Sequence, residues 1–273
     1  MNTNKKQFSG SWAIILGGSS GFGFATVEKL AMHGMNIAVI YRETAAEDRS
    51  VKERFSTLAE THDVNISPFN INALDNSARN NFIESFSADT SKKRNVRLLL
   101  HSVARGNLKP LVLPSVDPDT SNELLSAEDI NLTAYAMSTS ILDWTRSLLK
   151  AELFQPDARI VGLTSEGAHK YWESYAAVSI AKASLASLTT YMAVEFCKYG
   201  IKTNLIQAGI TETTSLKRIP GSDELIRISK ERNPMGRMTI PGDVANVVYL
   251  LCTEEAAWIN GAVIHVDGGE HCR

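Results

Sequence analysis

A glycine-rich turn between an apolar run and a helical pattern constrains the fold of this chain more than any other stretch. The apolar run covers residues 12–16 and a helical pattern covers 24–33, and the turn between them reads Gly17-Gly18-Ser19-Ser20-Gly21-Phe22-Gly23. Glycines at 17, 21 and 23 permit a tight turn and let a pyrophosphate approach backbone N–H groups at the helix N-terminus. This context predicts the first unit of a dinucleotide-binding sheet.

The alternation of strand and helix continues along the chain. Further strands are predicted over 36–41, 64–69, 96–104, 159–165, 201–206 and 262–266, and helices over 45–61, 75–88, 123–150, 175–198 and 241–252. Because no linker or internal repeat interrupts the pattern, residues 1–273 are predicted to form one α/β domain, a Rossmann-type doubly wound parallel sheet. The proline-containing loop over 106–121 is expected to wall a substrate pocket, and the polar stretch over 214–238 is expected to form a substrate lid.

Composition narrows the classes of partner. Hydrophobic residues make up 44% of the chain and charged residues 21%, with a formal charge of −2, so we expect no nucleic-acid and no membrane partner. Cys197, Cys252 and Cys272 are scattered and lack metal-ligand spacing, so we expect reduced thiols and no metal site. No run approaches eighteen apolar residues, and the first ten residues contain no signal-peptide core, which predicts a cytoplasmic protein.

The ends of the predicted strands supply candidate cofactor contacts. Arg42 follows the second strand, where an NAD site usually places an acidic residue, and a guanidinium suits the 2′-phosphate of NADPH. Glu43 follows directly, and Arg42 as a plain solvated loop residue leaves NADH open. The cofactor-binding set from the turn and the strand ends comprises Gly17, Ser19, Ser20, Gly21, Phe22, Gly23, Arg42, Asn70, Ile71, Ser102, Val103 and Ala104. For Asn70, contact with the adenine and an ordinary turn role are equally good explanations.

Tyr175 precedes Lys182 by seven residues in a small, apolar run. On one helix, this spacing puts both side chains on the same face about two turns apart, so that a phenol and an ammonium could meet one ligand. Val178, four residues before Lys182, cannot donate a proton. By spacing alone, an amphipathic tyrosine and a lysine that extends to solvent explain the pair better. His101, at the end of the fourth strand, is predicted to be a packed imidazole rather than a proton carrier.

Seven features, in order along the chain, together resemble the short-chain dehydrogenase/reductase superfamily over essentially its whole length. They are Gly17-x3-Gly21-x-Gly23, Asn131, Ser165, Tyr175 with Lys182, Ala208-Gly209-x3-Thr213, Asn233-Pro234-Met235-Gly236-Arg237 and Asp267-Gly268-Gly269. The Tyr-x6-Lys spacing is similar to that of enoyl-[acyl carrier protein] reductases. The glycine spacing resembles their NADPH-dependent branch. Ser165 departs from the common enoyl reductases, which have a second tyrosine there.

The resemblance implies reduction of the 2,3 double bond of an enoyl thioester, carried by acyl carrier protein or coenzyme A, with NADPH or NADH. It assigns Tyr175, Lys182, Ser165 and Asn131 to catalysis, adds Lys182, Gly209, Ile210 and Thr213 to the cofactor site, and implies a homotetramer. Moving the phenol back one helical turn from position 178 displaces it by about 5.4 Å, toward the enolate oxygen of a conjugated thioester. A carbonyl reductase or alcohol dehydrogenase, and an NADP-binding regulator without turnover, are the alternatives.

Overall fold

The chain folds around a seven-stranded, all-parallel sheet in the order β3-β2-β1-β4-β5-β6-β7. The computed structural model describes residues 6–113, 123–213 and 215–273. The strands are β1 (Trp12–Leu16), β2 (Asn36–Tyr41), β3 (Ile66–Asn70), β4 (Val96–His101), β5 (Phe154–Ser165), β6 (Ile201–Ala208) and β7 (Val263–Val266). The helices are α1 (Gly21–Met32), α2 (Ala45–His62), α3 (Asn76–Ala88), α4 (Ala127–Ala134), α5 (Ser140–Lys150), α6 (Ala176–Glu195), α7 (Ser222–Arg232) and α8 (Pro241–Leu251). The predicted doubly wound α/β architecture is therefore confirmed.

The inner strands of the sheet are buried on both faces, as expected for parallel strands covered by helices. Successive residues of β1 point to opposite sides: Ile15 packs in the core shared with α1 and α8, and Ile14 packs in the core shared with α3, α5 and α6. Both isoleucines are fully buried, and each such side chain contributes about 1.5–3 kcal/mol. Because both faces of β1 are buried, all five of its residues are apolar, instead of apolar and polar residues alternating along the strand.

Several element boundaries differ from the prediction. The helix expected over 123–150 is divided into α4 and α5 by a π-helix, Tyr135–Thr139, a feature that often marks a functional site and has no simple sequence signal. Strand β5 begins at Phe154, whereas it was predicted to begin at residue 159 because Pro156 and Asp157 suggest a turn. In the structure these two residues belong to the strand and lie where its pairing with β4 is irregular. Residues 114–121 of the predicted pocket loop and residue 214 of the predicted lid lie outside the described residues.

Two buried arginines close the end of the sheet opposite the strand C-termini. Arg159 of β5 donates to the carbonyl oxygen of Leu251 at 2.7 Å and pairs with Asp157 at 2.6 Å. Arg97 of β4 donates to the carbonyl oxygen of Cys252, also at 2.7 Å. The last carbonyls of a helix lack internal partners, and here two guanidiniums from the sheet satisfy those of α8.

The strand order reverses between β1 and β4, and in open α/β sheets a ligand binds at that point, outside the strand C-termini. Helix α6 runs beside this point. By length and composition alone it could cross a membrane, with a mean hydropathy of 1.2. Its buried residues include Ala177, Val178, Ala181 and Leu185, so it is a core helix of this fold.

Candidate active site

A cleft of about 1050 Å³ opens at the carboxyl edge of the sheet. Most of the predicted cofactor-binding residues line it: Gly17, Ser19, Ser20, Gly21, Phe22, Arg42, Ile71, Ser102, Val103, Ala104, Gly209, Ile210 and Thr213. Of the predicted catalytic residues, Tyr175 and Ser165 also line it. Gly23, Asn70, Lys182 and Asn131 are not among its lining residues, and each has a different position in the structure.

The glycine turn is built to bring backbone close to a ligand. Gly17 has a φ of +84°, and a Cβ there would collide with the carbonyl group of Ser102. A Cβ at Gly23 would collide with the carbonyl group of Gly17, so Gly23 acts by letting α1 begin against the turn rather than by lining the cleft. Ser20 is the N-cap of α1, but its side chain makes no capping hydrogen bond. The Ser20 hydroxyl therefore does not compete with a ligand for the first N–H groups of the helix.

At the end of the cleft where adenosine is predicted to bind, the structure favours the turn role of Asn70 over contact with an adenine. The Asn70 side chain accepts from the Glu43 backbone N–H and donates to its carbonyl oxygen, both at 3.0 Å, so it holds the loop after β2 instead of facing an adenine. The Glu43 carboxylate accepts from Ser19 Oγ at 2.7 Å. Arg42 is exposed and lines the cleft. A second guanidinium, that of Arg54, also lines the cleft and was not predicted from the sequence; it stacks 3.6 Å from the centroid of the Phe24 ring.

Tyr175 lies just before α6 rather than within it. It is the N-cap residue, with φ −98° and ψ 3°, so the predicted two-turn relation to Lys182 along one helix is wrong in detail. The Tyr175 hydroxyl is 3.5 Å from Ser165 Oγ. Burial raises the pKa of the phenol, and the hydrogen bond to Ser165 opposes part of that rise. Gly167 lies against the ring of Tyr175. A Cβ at position 167 would collide with the edge carbons of that ring.

Lys182 is buried, with 8% of its surface exposed, and its ammonium donates to the carbonyl oxygen of Leu163 at 2.6 Å. The alternative of a lysine extending to solvent is therefore wrong. Burial lowers the pKa of Lys182 to about 8. An ammonium has three donors, so Leu163 leaves two for other acceptors.

Asn131 and His101 stand apart from the other candidates. Asn131 is exposed on α4 and does not line the cleft, and its backbone carbonyl accepts from Tyr135 N–H where the π-helix begins. His101 is buried, with Nε2 2.8 Å from Ser140 Oγ. Burial, reinforced by the charge of Lys182, lowers the pKa of His101 to about 3, so the imidazole stays neutral, as expected of a packed side chain.

An apolar wall borders the phenol. Val178, buried at 5% exposure, clusters with Met137 of the π-helix, with Leu108 and Leu74 packed against them, and Tyr175 contacts this cluster. A Cβ at Gly106 would collide with Val178 and approach Met137, so the loop after β4 closes onto this wall. Sequence reasoning found Val178 but missed Met137 and Leu74, since the π-helix that presents Met137 was not predicted.

The described part of the predicted lid, 215–238, covers one side of the cleft. Leu216, Arg218, Ile219, Leu225 and Arg232 line the cleft from this segment. Arg232, the last residue of α7, pairs with Glu166 at 2.5 Å and with Glu270 at 3.0 Å. Trp172 Nε1 donates to the carbonyl oxygen of Pro220 at 3.0 Å. Within 6–113, 123–213 and 215–273, no group of three or more His, Cys, Asp or Glu residues is placed to hold a metal ion.

Comparison with known proteins bears on the family and the fold of this chain. A family model described as enoyl-(acyl carrier protein) reductase matches residues 17–271. The chain is 35% identical over 132 residues to the NADH enoyl-[acyl-carrier-protein] reductase FabI of Aquifex aeolicus, a match that spans only 48% of each chain. It is 26% identical over 266 residues to the 3-oxoacyl-[acyl-carrier-protein] reductase FabG of the same organism, covering 96% of this chain and 98% of that protein.

Among solved structures, the Bacillus cereus enoyl-acyl carrier protein reductase in complex with NADP+ and indole naphthyridinone superposes with a TM-score of 0.82. That match covers 98% of this chain and 99% of that chain at 22% identity. At this identity the likeness supports the fold alone. The named relatives thus include one that uses NADH and one that was crystallised with NADP+.

Proposed function

This chain belongs to the enoyl-(acyl carrier protein) reductase family of short-chain dehydrogenase/reductase oxidoreductases, and from that premise we propose that it reduces the 2,3 double bond of an enoyl thioester with NADPH. One observation carries the choice of substrate: the hydroxyl at the cleft belongs to Tyr175, and position 178, where alcohol-oxidising relatives place their tyrosine, is a buried valine in an apolar wall. We place the acyl chain beside Val178 and Met137, which line the cleft, and the thioester oxygen at the phenol.

The residues present fit a dinucleotide. The turn at Gly17 and Gly23 has no room for side chains, and the N-terminus of α1 offers N–H groups and a positive dipole end to a pyrophosphate. When bound, the reduced nicotinamide supplies a hydride to the β-carbon. Lys182 does not itself line the cleft, but Leu163 uses only one of its three donors, and we propose that the other two hold the ribose hydroxyls while the ammonium keeps the local potential positive.

Tyr175 donates a hydrogen bond to the thioester oxygen as negative charge develops there. Its raised pKa keeps the phenol protonated at neutral pH, so it acts as a donor rather than as a phenolate. Ser165, 3.5 Å from the phenol oxygen, is placed to pass a proton to it. A donor aimed at the enolate oxygen stabilises the transition state for alkene reduction without protonating the carbon that receives the hydride.

The preference for NADPH is supported by Arg42 and Arg54, two guanidiniums that line the adenosine end of the cleft. The Glu43 carboxylate, which would repel a 2′-phosphate, is hydrogen-bonded to Ser19. Replacing Arg42 and Arg54 with alanine is expected to lower kcat/KM for NADPH by about tenfold each, equivalent to about 1.4 kcal/mol, and to change that for NADH less than twofold. Arg49→Ala, an exposed change on the same helix as Arg54, is the control.

For the carrier we propose acyl carrier protein, supported by Lys217 and Arg218, which are exposed on a 3-10 turn of the lid beside the cleft. Glu212 pairs with Lys217 at 3.1 Å and offsets part of that positive charge. Coenzyme A thioesters are therefore the substrates to compare with acyl carrier protein thioesters.

A homotetramer is supported by an exposed face of α6, where Ile180, Tyr191 and Val194 recur at helical spacing. Light scattering of the Tyr191→Glu variant, compared with the unchanged protein, tests the tetramer.

Free thiols at Cys197, Cys252 and Cys272 support a reducing, cytoplasmic setting.

The deciding experiment is anaerobic mixing of the protein and NADPH with crotonyl and acetoacetyl thioesters, followed by nicotinamide absorbance. We expect oxidation of NADPH with the crotonyl thioester. A carbonyl reductase is the second candidate, favoured by the Ser165 hydroxyl beside Tyr175 and by the match to the 3-oxoacyl reductase over 96% of this chain. Turnover of the acetoacetyl thioester alone would contradict the proposal and support that candidate.

A further inference from the structure

The segment between β5 and α6 connects the two hydroxyls of the site. Ser165 stands at its start, as the last residue of β5, and Tyr175 stands at its end, as the N-cap of α6. The lid contacts this connecting segment, residues 166–174, near both ends. One contact is an ion pair from Arg232 and the other is a hydrogen bond from Trp172, and neither was anticipated from the sequence.

The first contact joins the end of α7 to the residue directly after Ser165. Arg232 Nη2 is 2.5 Å from Glu166 Oε2 and 3.0 Å from Glu270 Oε1. Glu270 is 2% exposed, and Arg232 and Glu166 have side chains 21% and 23% exposed. Because the three groups are largely withdrawn from water, this network is screened less than an ordinary surface pair. Lys170 also pairs with Glu166, at 2.5 Å, but from within the connecting segment itself.

The second contact lies three residues before the phenol. Trp172 donates through Nε1 to the carbonyl oxygen of Pro220 in the lid, and its own carbonyl oxygen accepts from the Tyr175 N–H at 3.2 Å. Gly221, next to Pro220, lies against the Trp172 ring, because a Cβ there would be 3.4 Å from it, and its φ of +71° favours glycine. The backbone of Tyr175 is therefore one hydrogen bond away from a residue that the lid contacts.

We propose that Arg232 is a positioning residue that clamps the connecting segment to the lid, so that closing the lid and placing the Tyr175 hydroxyl are one event. This role deepens the proposed function and rests on it for its kinetic consequence. Arg232 lines the cleft, but the role proposed here is carried by its ion pairs with Glu166 and Glu270. The lid is thus a part of the proton-donor apparatus as well as a cover.

Helix α7 supplies a matched control. Arg227 is exposed, and its partners, Glu224 at 2.6 Å and Glu231 at 2.8 Å, both lie on α7 itself. Arg227→Gln removes the same charge from the same helix without releasing the connecting segment. Arg232→Gln removes the charge that pairs the lid with Glu166 of the connecting segment and with Glu270.

The test compares Arg232→Gln, Arg232→Lys, Glu166→Gln, the Arg232→Gln/Glu166→Gln double variant and Arg227→Gln in the full chain. With crotonyl thioester and NADPH, we expect Arg232→Gln to lower kcat by about 10- to 100-fold, as small misplacements of a catalytic group do, with KM for NADPH changed less than threefold. Arg232→Lys should restore part of kcat. The double variant should be no slower than the slower single variant, because the residues act as one unit. Arg227→Gln should stay within twofold of the unchanged protein.

Hydrogen–deuterium exchange of peptides covering 166–175 gives a readout that needs no turnover. Faster exchange in Arg232→Gln but not in Arg227→Gln supports the clamp. Equal exchange in these two variants, or a loss in Arg232→Gln confined to KM, would overturn it. If the unchanged protein reduces no enoyl thioester, the proposed function fails, and the exchange experiment still decides whether the clamp exists.

Discussion

Lys182 Nζ donates a 2.6 Å hydrogen bond to the carbonyl oxygen of Leu163, a strand residue nineteen positions earlier in the chain. The ammonium is held where water is scarce, and burial lowers its pKa to about 8. The charge that the proposed mechanism requires is therefore present below pH 8 and is lost as the pH rises through that value. The same shift means that the unfolded chain binds the proton more tightly, so this group's contribution to stability rises between pH 8 and its ordinary pKa of 10.5.

The first prediction concerns activity against pH. We expect kcat/KM for NADPH, which reports groups of the free enzyme, to fall about tenfold per pH unit above pH 8. Lys182→Met should lack this limb because its low residual activity does not depend on an ammonium. A profile of the unchanged protein that stays flat to pH 9.5 would show that the lysine charge is not used.

The second prediction separates the phenol from its surroundings. Tyr175→Phe removes the hydroxyl that lines the cleft and keeps the ring that packs against Gly167. We expect kcat for crotonyl thioester to fall about 10²- to 10⁴-fold, the usual range for loss of a general acid, while the Kd for NADPH changes less than twofold. Tyr171→Phe is the control, since Tyr171 lines the cleft mouth but is 89% exposed. Double-bond reduction at full rate in Tyr175→Phe would contradict the assigned role.

The sequence allowed prediction of those features that depend on local pattern. Glycine spacing after an apolar run fixed the position of the turn, and the carboxyl ends of parallel strands had to meet at one edge, so Arg42, Ser102 and Gly209 were placed correctly along one cleft. The described part of the polar segment expected to form a lid, 215–238, also borders the cleft. These inferences succeed because each uses a constraint carried by a few neighbouring residues.

Features that depend on contacts between distant residues were not predictable. Whether Tyr175 lies inside α6 or just before it depends on where the preceding segment packs, and the spacing to Lys182 is the same in either case. The Asn70 side chain binds the backbone of Glu43, 27 residues away in the chain. Asn131 is exposed on α4, just before the π-helix. Nothing in the local sequence around Arg54 or Met137 indicates that either would reach the cleft.

The third prediction tests the buried arginine at the opposite end of the sheet. Arg159 is fully buried and donates to the carbonyl oxygen of Leu251 and to Asp157. Arg159→Leu removes the guanidinium partner of the Leu251 carbonyl, at the end of α8, and of the Asp157 carboxylate, so the free energy of unfolding should fall by about 3–5 kcal/mol. Urea denaturation measures this as a lower midpoint at unchanged slope. Arg227→Leu, at an exposed site, should leave the urea midpoint essentially unchanged, and an equal loss in both variants would refute the interpretation.

The fourth prediction concerns a glycine that acts without lining the cleft. A Cβ at Gly23 would collide with the carbonyl group of Gly17 and force the start of α1 away from the turn. Since the pyrophosphate is expected at that helix N-terminus, Gly23→Ala should raise the Kd for NADPH at least tenfold, about 1.4 kcal/mol, in a fluorescence titration. Gly242→Ala is the matched control, because a Cβ at Gly242, in the first turn of α8, meets no atom within 4 Å. Unchanged NADPH affinity in Gly23→Ala would mean that the cofactor does not depend on this turn.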